Sequence, residues 1–274
     1  MTAQGVAPAT VSFVTHQMKP NIYWIEGGGG NSTVILGDKG VIVVDAKATL
    51  QGGRELLDDM AKITPKPVTT VILTHSDPDH IGGLAAFPVG LTIIAHEGDA
   101  KEQQEALATN GRGVPAPDKL PTQVIKKNKE TITAEGVTLE LYHWAPAHTT
   151  GDLIVYVLKD KVVCTGDIIA TQWLYPIVHL EKHGTSEGWI ASAKGILMLD
   201  SDQFIPGHGA LQTRADIQKR LSESEATDAK VKELVAQGKS LDEVKAAVGD
   251  PAQPQSVRQR PASFTEVVYA EFKK

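Results

Sequence analysis

Short apolar runs recur along the 274-residue chain, and each of them predicts a buried β-strand. Four of these runs end in loops that carry Asp or His side chains: residues 41–44, 71–73, 162–165 and 203–205. Apolar residues at helical spacing predict helices between the strands, at residues 50–62, 97–109 and 189–199. The chain therefore alternates strands with helices, and polar groups collect where strands end.

Two parts of the chain are less regular. Residues 111–121 are rich in Gly and Pro and predict a surface loop, after which strands resume at residues 137–141. Beyond the last strand, the pattern predicts charged helices over residues 213–248, a Pro- and Gln-rich connector over 250–261, and a terminal helix over 264–272. No shift in composition marks a second domain.

One stretch in the first third of the chain concentrates candidate metal ligands. His75, Asp77, Asp79 and His80 fall within six residues, directly after an apolar run. If the stretch stays extended, alternation sends the first three side chains to one side, and His80 turns in from the bend that follows. Pro78 fixes one φ angle and stiffens the loop. These are also ordinary turn residues, so the stretch alone leaves a purely structural role open.

Further residues of the ligand type stand near the ends of other strands. Asp45 follows a strand directly, Asp167 and His208 come two and three residues after the ends of theirs, and His148 lies in a loop that precedes a strand. Most of these positions have Gly or Pro neighbours, which leave room for close packing around an ion. A carboxylate at the end of a buried strand can orient a metal-binding side chain from behind, and Asp45 is a candidate for that role. The alternative for Asp45 is a helix or turn cap.

Two loops predict contacts near such a site. The glycines at residues 27–30 lack the Gly-Lys-Ser/Thr ending of a phosphate-binding loop and precede a strand, so they predict a hairpin that brings backbone close to a ligand. Residues 172–189 are rich in aromatic side chains, which predict either a substrate pocket or cover for a sheet edge. His179 and His183 in this loop receive no role, and His96 at a strand end is assigned a structural one.

The composition restricts the partners. Hydrophobic residues make up 41% and charged residues 22% of the chain, as in ordinary soluble globular proteins. The net charge is −6, and the densest basic run, residues 126–129, predicts a solvated turn. Nucleic acid is therefore not an expected partner, and a small-molecule substrate is.

The single cysteine and the termini bear on the expected location. Cys164 lies in an apolar strand and predicts an inert core thiol. No window is apolar enough to span a membrane, so no membrane partner is expected. Residues 1–5 lack the pattern of a signal peptide, which favours a cytoplasmic protein. A periplasmic protein whose leader had been removed would show the same sequence.

In their order and glycine context, these motifs resemble those of the metallo-β-lactamase superfamily, and in particular its glyoxalase II-like and lactonase-like hydrolases. The resemblance runs from about residue 21 to residue 209 and rests on Asp45, the His75 motif, Pro146-Ala147-His148-Thr149, Thr165-Gly166-Asp167 and Pro206-Gly207-His208-Gly209. It implies an α/β fold, the four-layer αββα sandwich, for a catalytic domain at residues 1–212. A C-terminal helical extension, residues 213–274, is expected to pack on the same domain.

The resemblance also implies a site for two divalent metal ions. His75, Asp77 and His148 would hold one ion, Asp79, His80 and His208 would hold the other, and Asp167 would bridge them. Zinc is the first expectation, with iron and manganese as alternatives, because imidazole and carboxylate ligands suit all three. Asp79 is also expected to take a catalytic role, by orienting the attacking hydroxide or handling its proton.

The chain departs from the family pattern at one ligand. The usual His-x-His-x-Asp-His motif has a second His where this chain has Asp77. With Asp79 and Asp167, this residue sets three carboxylates against the two ions, so the first ion is expected to be a weaker Lewis acid. A harder ligand also shifts the preference from zinc towards iron or manganese. Because Asp is shorter than His, the alternative is that Asp77 misses the ion and leaves that site weak or empty.

The function implied by the resemblance is a metal-dependent hydrolase that opens an ester-like bond in a lactone, thioester, other ester or β-lactam. A β-lactamase proper is disfavoured, because Asp167 stands where those enzymes have Cys or Ser. One alternative is a non-haem diiron oxidoreductase, because flavodiiron proteins carry Glu at the Asp77 position. Another is a metal-binding protein with weak hydrolytic activity. The helical tail is expected either to cap the site or to pair two chains as a homodimer.

Overall fold

The computed structural model describes residues 13–109, 117–250 and 261–273, which form two β-sheets and the helices around them. Seven strands pair in chain order in the first sheet: β1 (Val14–Lys19), β2 (Ile22–Glu26), β3 (Ser32–Leu36), β4 (Val41–Val44), β5 (Val68–Ile72), β6 (Thr92–His96) and β7 (Gln123–Ile125). Five strands form the second sheet: β8 (Lys129–Ala134), β9 (Val137–Tyr142), β10 (Ile154–Val157), β11 (Val162–Cys164) and β12 (Gln203–Ile205). In this sheet β12 pairs with β11, which gives the order β12-β11-β10-β9-β8.

The described helices are α1 (Leu50–Ile63), α2 (Pro78–Ile81), α3 (Glu97–Ala108), α4 (Ser186–Met198), α5 (Arg214–Ala236), α6 (Leu241–Val248) and α7 (Phe264–Phe272). The last three begin with capping boxes, in which Thr213, Ser240 and Ser263 exchange hydrogen bonds with the third residue of each helix. Each box satisfies two backbone N–H groups that a helix start leaves unpaired. None of these helices is long and apolar enough to cross a membrane.

Three apolar clusters hold the layers together. Alternation along β4 sends Ile42 and Val44 into the cluster between the two sheets, while Val41 and Val43 face a second cluster with Leu56 of α1. A third cluster lies on the outer side of the second sheet, where Phe204 of β12 and Trp189 of α4 pack with α5, α6 and α7. The order of layers is helix, sheet, sheet, helix. The expectation of a four-layer αββα sandwich with a C-terminal helical part is confirmed.

The topology brings several loops to one edge of the sandwich. β4 and β5 run parallel in the first sheet, and β11 and β12 run parallel in the second. The carboxyl ends of parallel strands lie at one edge, so the loops that follow these strands are neighbours within each sheet. Two backbone hydrogen bonds join the sheets at this edge: Asn31 N–H to Gly207 O at 2.7 Å and Leu153 N–H to Thr74 O at 2.7 Å.

Two strands were not predicted from the sequence. β7 and β8 lie between the predicted loop at residues 111–121 and the strand predicted at 137–141, and the turn predicted at 126–129 ends in the first residue of β8. β8 is an edge strand that alternates exposed and half-buried residues, so it shows no apolar run. β1, which begins at Val14, has no buried position. Most of the predicted loop at 111–121 and of the connector at 250–261 lies outside the described residues. The division into residues 1–212 and 213–274 stays a prediction.

We predict that Phe264→Ala lowers the free energy of unfolding by about 3–4 kcal/mol, because it removes a buried ring and leaves a cavity. Phe264 is 2% exposed, and its ring meets that of Trp189 edge-on at 5.9 Å between centroids. Urea unfolding followed by circular dichroism measures the change. The matched control is Phe272→Ala on the same helix, where the ring is 49% exposed and a loss below about 1 kcal/mol is expected. Equal losses for both variants would contradict this account of the packing.

Candidate metal centre

The chain leaves β5 in a loop that turns into a short helix. His75 lies in the loop, Asp77 precedes the helix as its N-terminal cap, and Asp79 and His80 lie on α2 itself. The predicted alternation of the first three side chains along an extended strand was therefore wrong. Pro78 occupies the first helical position, where its fixed φ angle favours a helical start.

Despite this difference, the side chains named from the sequence come together. The described residues contain three groups of His and Asp ligand atoms that lie within 4.8 Å of one another: His75 with Asp77 and His148, His75 with His80 and Asp167, and Asp79 with His80 and His208. The first and third groups are the two sets implied by the resemblance, and Asp167 lies between them. All seven candidates are thus at one place on the sandwich edge.

Hydrogen bonds fix two of the imidazole rings from behind. Nδ1 of His148 lies 3.0 Å from the carbonyl oxygen of Ile177 and donates to it. Nδ1 of His75 lies 2.9 Å from the Thr74 hydroxyl, whose own proton goes to a carboxylate, so the ring nitrogen is again the donor. With the proton on Nδ1, a neutral ring carries its lone pair on Nε2. Both Nε2 atoms belong to the groups described above, as metal binding requires.

Asp45 plays the corresponding part for His80. Its carboxylate accepts hydrogen bonds from the Thr74 backbone N–H at 2.8 Å, from the Thr74 hydroxyl at 2.7 Å and from Nδ1 of His80 at 2.8 Å. The loop that presents it is strained, since Asp45 and Lys47 adopt φ angles of 61° and 73°. The structure therefore favours the orienting role predicted for Asp45 over a simple turn cap.

The inward-facing atoms suit a bound cation. Nε2 of His75 is buried without a hydrogen-bond partner, and its nearest carboxylate oxygen, on Asp77, is 3.7 Å away. Nε2 of His80 and Nε2 of His208 face each other at 3.2 Å. A buried nitrogen atom without a partner, such as Nε2 of His75, is rare in proteins unless something else satisfies it. Imidazole and carboxylate together form a donor set for zinc, iron or manganese, so the residues present fit such an ion.

The charges at the site support one another. Burial opposes ionisation of Asp77, but hydrogen bonds from His148 and His179 hold the pKa of this carboxyl group well below its usual value. Burial likewise opposes ionisation of Asp167, and the neighbouring His80 and His208 hold its pKa well below the usual value. Asp77 and Asp167 are therefore ionised at neutral pH. Imidazoles must be unprotonated to bind a metal ion, so metal binding there would release protons.

Two glycines allow the loops to approach these side chains. A Cβ atom on Gly30 would lie 2.3 Å from Cε1 of His80, and one on Gly207 would lie 1.9 Å from Oδ1 of Asp167. Any larger residue would displace a ring or a carboxylate of the site. The loop at residues 27–30 joins the antiparallel strands β2 and β3, as the predicted hairpin requires, and it approaches His80 closely. Its predicted contact with a bound ligand stays a prediction.

A cleft of about 580 Å³ opens over the convergent groups. Its floor includes Asp79, whose side chain is 40% exposed, and its wall includes Trp173, Ile177 and Leu180 from the aromatic-rich loop. Of the two roles predicted for this loop, lining a substrate pocket is therefore favoured over covering a sheet edge. Trp189 of the same stretch is instead a core residue. His96 lies outside the three groups and caps the start of α3, in the structural role expected of it.

The chain was compared with models of known protein families. Residues 25–208 match the family model described as the metallo-beta-lactamase superfamily, which covers more than half of the chain. The chain belongs to this superfamily. Superfamily membership and the fold were both expected from the motifs, and both are confirmed.

The similarity to individual proteins is limited to sequence identities below 30% in the following comparisons. The 2,4-dinitroanisole O-demethylase subunit alpha of Nocardioides sp. (strain JS1661) is 29% identical over 234 residues, which are 84% of this chain and 68% of the subunit. A solved stereoselective inverting sec-alkylsulfatase from Pseudomonas sp. shares the fold with a TM-score of 0.69 at 19% identity. This alignment covers 94% of the present chain but 47% of the sulfatase, so the chain spans about half of that protein.

A solved metallo-beta-lactamase from Pontibacter korlensis gives the complementary picture. It shares the fold with a TM-score of 0.64 at 16% identity, and the alignment covers 99% of that enzyme but 78% of this chain. The sandwich is therefore common to both proteins, and the present chain carries additional structure beyond it.

Two further residues, His179 and Lys182, contact Asp77, and the sequence did not predict either of them as part of the site. Lys182 places its Nζ atom 2.5 Å from Oδ1 of Asp77, and His179 places Nε2 3.2 Å from Oδ2 of the same residue. The sequence assigns no role to His179, and no local sequence pattern marks Lys182. His183 lies apart from the groups and lines a different surface cavity.

We predict that the metal-free protein loses stability as the pH rises. Burial lowers the pKa of His148 and His208, but Asp77 and Asp167 outweigh it and raise both values from 6.5 to about 9. A raised pKa stabilises the folded state fully below about pH 6.5, and the contribution is lost as the pH rises through about 9. The urea midpoint of chelator-treated protein is expected to fall across this window. His148→Gln should flatten the profile, and a level profile in the unmodified protein would contradict the ion pairs.

Proposed function

We propose that this protein is a metal-dependent hydrolase that cleaves an ester-like bond, in a lactone, thioester, other ester or β-lactam. The observation that carries the proposal is the convergence of four imidazoles and three carboxylates, with ring nitrogens directed inward, at the floor of an open cleft. A purely structural cluster would have little reason to leave a buried imidazole nitrogen unpaired.

The proposed ligand sets follow the groups in the structure. His75, Asp77 and His148 would hold one ion, and Asp79, His80 and His208 would hold the other. Asp167 lies near both sets and would serve as the shared carboxylate. When bound, two divalent ions supply an activated water at neutral pH and polarise the bond to be cleaved. Zinc remains the first expectation, with iron and manganese as alternatives.

Asp79 is the residue proposed to handle the proton of the attacking water. Its Oδ2 atom lies 3.0 Å from Nε2 of His208, while its side chain is 40% exposed towards the cleft. Burial opposes its ionisation, but the hydrogen bond from His208 and the charge of His80 hold its pKa below the usual value. It is therefore a carboxylate at neutral pH and acts as an acceptor that orients water, not as an acid.

The cleft wall and the relatives narrow the substrate class. Trp173, Ile177 and Leu180 line the same cleft as the ligand-type residues, which favours a substrate with an aryl or apolar group beside the reacting bond. The demethylase subunit from Nocardioides is named for an aryl methyl ether. Cleavage of an activated aryl ether is therefore our second candidate activity for the same groups.

We predict about two metal ions per chain in protein purified without added metal, measured by elemental analysis against protein concentration. His208→Ala should lower the content to about one, because it removes a member of only one group. His183→Ala is the control: this residue is exposed and lies outside the groups, so the content should stay unchanged.

Activity should follow metal content across a panel of a lactone, a thioester, an aryl ester, a β-lactam and an aryl methyl ether. Chelation should abolish turnover of the active substrate, and zinc should restore it. Metal-free preparations with full activity would contradict the proposal. Iron with an absorption change on reduction, and no hydrolysis of any substrate, would replace it with the diiron oxidoreductase alternative.

We also predict that Asp45→Asn weakens metal binding by about 10–100-fold, because His80 loses the carboxylate that orients its ring. Competition against a chelator with known affinity measures the change. Asp38→Asn, in the turn before β4, is the control and should leave the affinity unchanged. Equal affinities for Asp45→Asn and the unmodified protein would remove Asp45 from the site.

A further inference from the structure

A lysine side chain lies directly against the ligand at which this chain departs from the superfamily pattern. Nζ of Lys182 is 2.5 Å from Oδ1 of Asp77 and 2.7 Å from the hydroxyl oxygen of Ser76. Its side chain is 26% exposed. Ion pairs on a protein surface have little effect, but this pair is largely withdrawn from water and adjoins the proposed metal site.

The two oxygens of Asp77 are divided between different partners. Oδ1 faces Lys182, whereas Oδ2 lies 3.1 Å from Nε2 of His148, 3.2 Å from Nε2 of His179 and 3.7 Å from Nε2 of His75. One oxygen is thus engaged by the ammonium group, and the other one points into the group with His75 and His148. A carboxylate held in this way offers a single oxygen to a cation.

Contacts on both sides hold the ammonium group in place. The Ser76 hydroxyl donates to the carboxylate of Glu102, whose Oε2 atom is 3.7 Å from Nζ of Lys182. The Lys182 carbonyl accepts a hydrogen bond from the Thr150 hydroxyl at 2.6 Å. The ammonium group thus lies between two carboxylates, those of Asp77 and Glu102.

We propose that Lys182 is a positioning residue that makes Asp77 equivalent to the neutral imidazole found at this place in the usual superfamily motif. A neutral imidazole supplies one donor atom and no charge. The Asp77–Lys182 pair likewise supplies one free oxygen and no net charge, since the ammonium offsets the carboxylate. Glu102 also contacts Lys182, but it is outside the three groups of ligand atoms.

This inference rests on the proposed metal site and changes one expectation about it. Counting Asp77, Asp79 and Asp167 as three full negative charges predicted a weaker Lewis acid at the first ion. With Lys182 offsetting Asp77, the site has the charge of an ordinary superfamily member. It also explains how a shorter side chain can serve here: the loop that carries Lys182 fixes its orientation.

The test uses Co²⁺ as the probe, because its visible absorption is strong at four-coordinate sites and weak at six-coordinate ones. Lys182→Met releases Oδ1, so Asp77 can bind through both oxygens and the absorption per bound cobalt should fall. The loss of a nearby positive charge should also tighten cobalt binding by about tenfold. Lys182→Arg keeps a cation and a donor, and it should retain the spectrum and affinity of the unmodified protein.

The background Asp77→His provides the matched control. An imidazole cannot bind through two oxygens, so adding Lys182→Met in this background should leave the absorption per cobalt unchanged. A spectrum insensitive to Lys182→Met in the Asp77 background, the same spectral change in both backgrounds, or weaker cobalt binding would each overturn the inference. Glu102→Gln leaves Lys182 in place and should keep the spectrum, which separates the role of Lys182 from general damage to the loop.

The number of cobalt ions bound by the unmodified protein distinguishes a failure of the proposed metal site from a failure of the role of Lys182. If the protein binds no cobalt, zinc or iron, the proposed function fails and this inference fails with it. If the unmodified protein binds about two ions and the Lys182 variants behave alike, only the role of Lys182 is lost. Far-UV circular dichroism of each variant establishes that the fold is retained.

Discussion

The carboxylate of Asp45 is the interaction on which the rest of the site depends. It is buried, and it accepts hydrogen bonds from both the backbone and the hydroxyl group of Thr74 and from the ring of His80. These contacts join the exits of β4 and β5 to helix α2. His80 belongs to two of the three groups of ligand atoms, so a shift of its ring would disrupt both of them. A buried carboxylate with three donors resists such a shift.

The two sheets contribute to this centre in different ways. The first sheet supplies the orienting carboxylate and the motif that begins at His75, while the second supplies Asp167 and His208 after its parallel strands. Backbone hydrogen bonds across the edge and the absence of side chains at Gly30 and Gly207 bring the two contributions within reach. The packing of the two sheets and the positions of the ligand side chains therefore depend on each other, since a change in the distance between the sheets would alter both.

Most of the strand ends and helix bounds could be predicted, because the sequence patterns that mark them are local. Apolar runs that end in Asp or His marked the strand exits, and the bounds of α7 follow from its cap at Ser263 and its apolar face. The alternation of His and Asp predicts extended chain through Pro78, where the structure has a helical start. Lys182 was missed for a different reason: its partner Asp77 is 105 residues away, and no periodicity links two loops at that separation. β8 escaped notice because an edge strand needs no apolar run.

The C-terminal part of the chain reaches the cleft without contributing to the ligand groups. Pro261 and Ala262 line the cleft, and Arg220 of α5 donates to the carbonyl oxygen of Trp173 at 2.9 Å, so the tail helices support the aromatic wall. The seven ligand-type residues all lie between His75 and His208. The wall of the cleft is therefore assembled from two distant segments of the chain, whereas the ligand groups come from one. A substitution in the tail can reshape the wall without touching a ligand-type side chain.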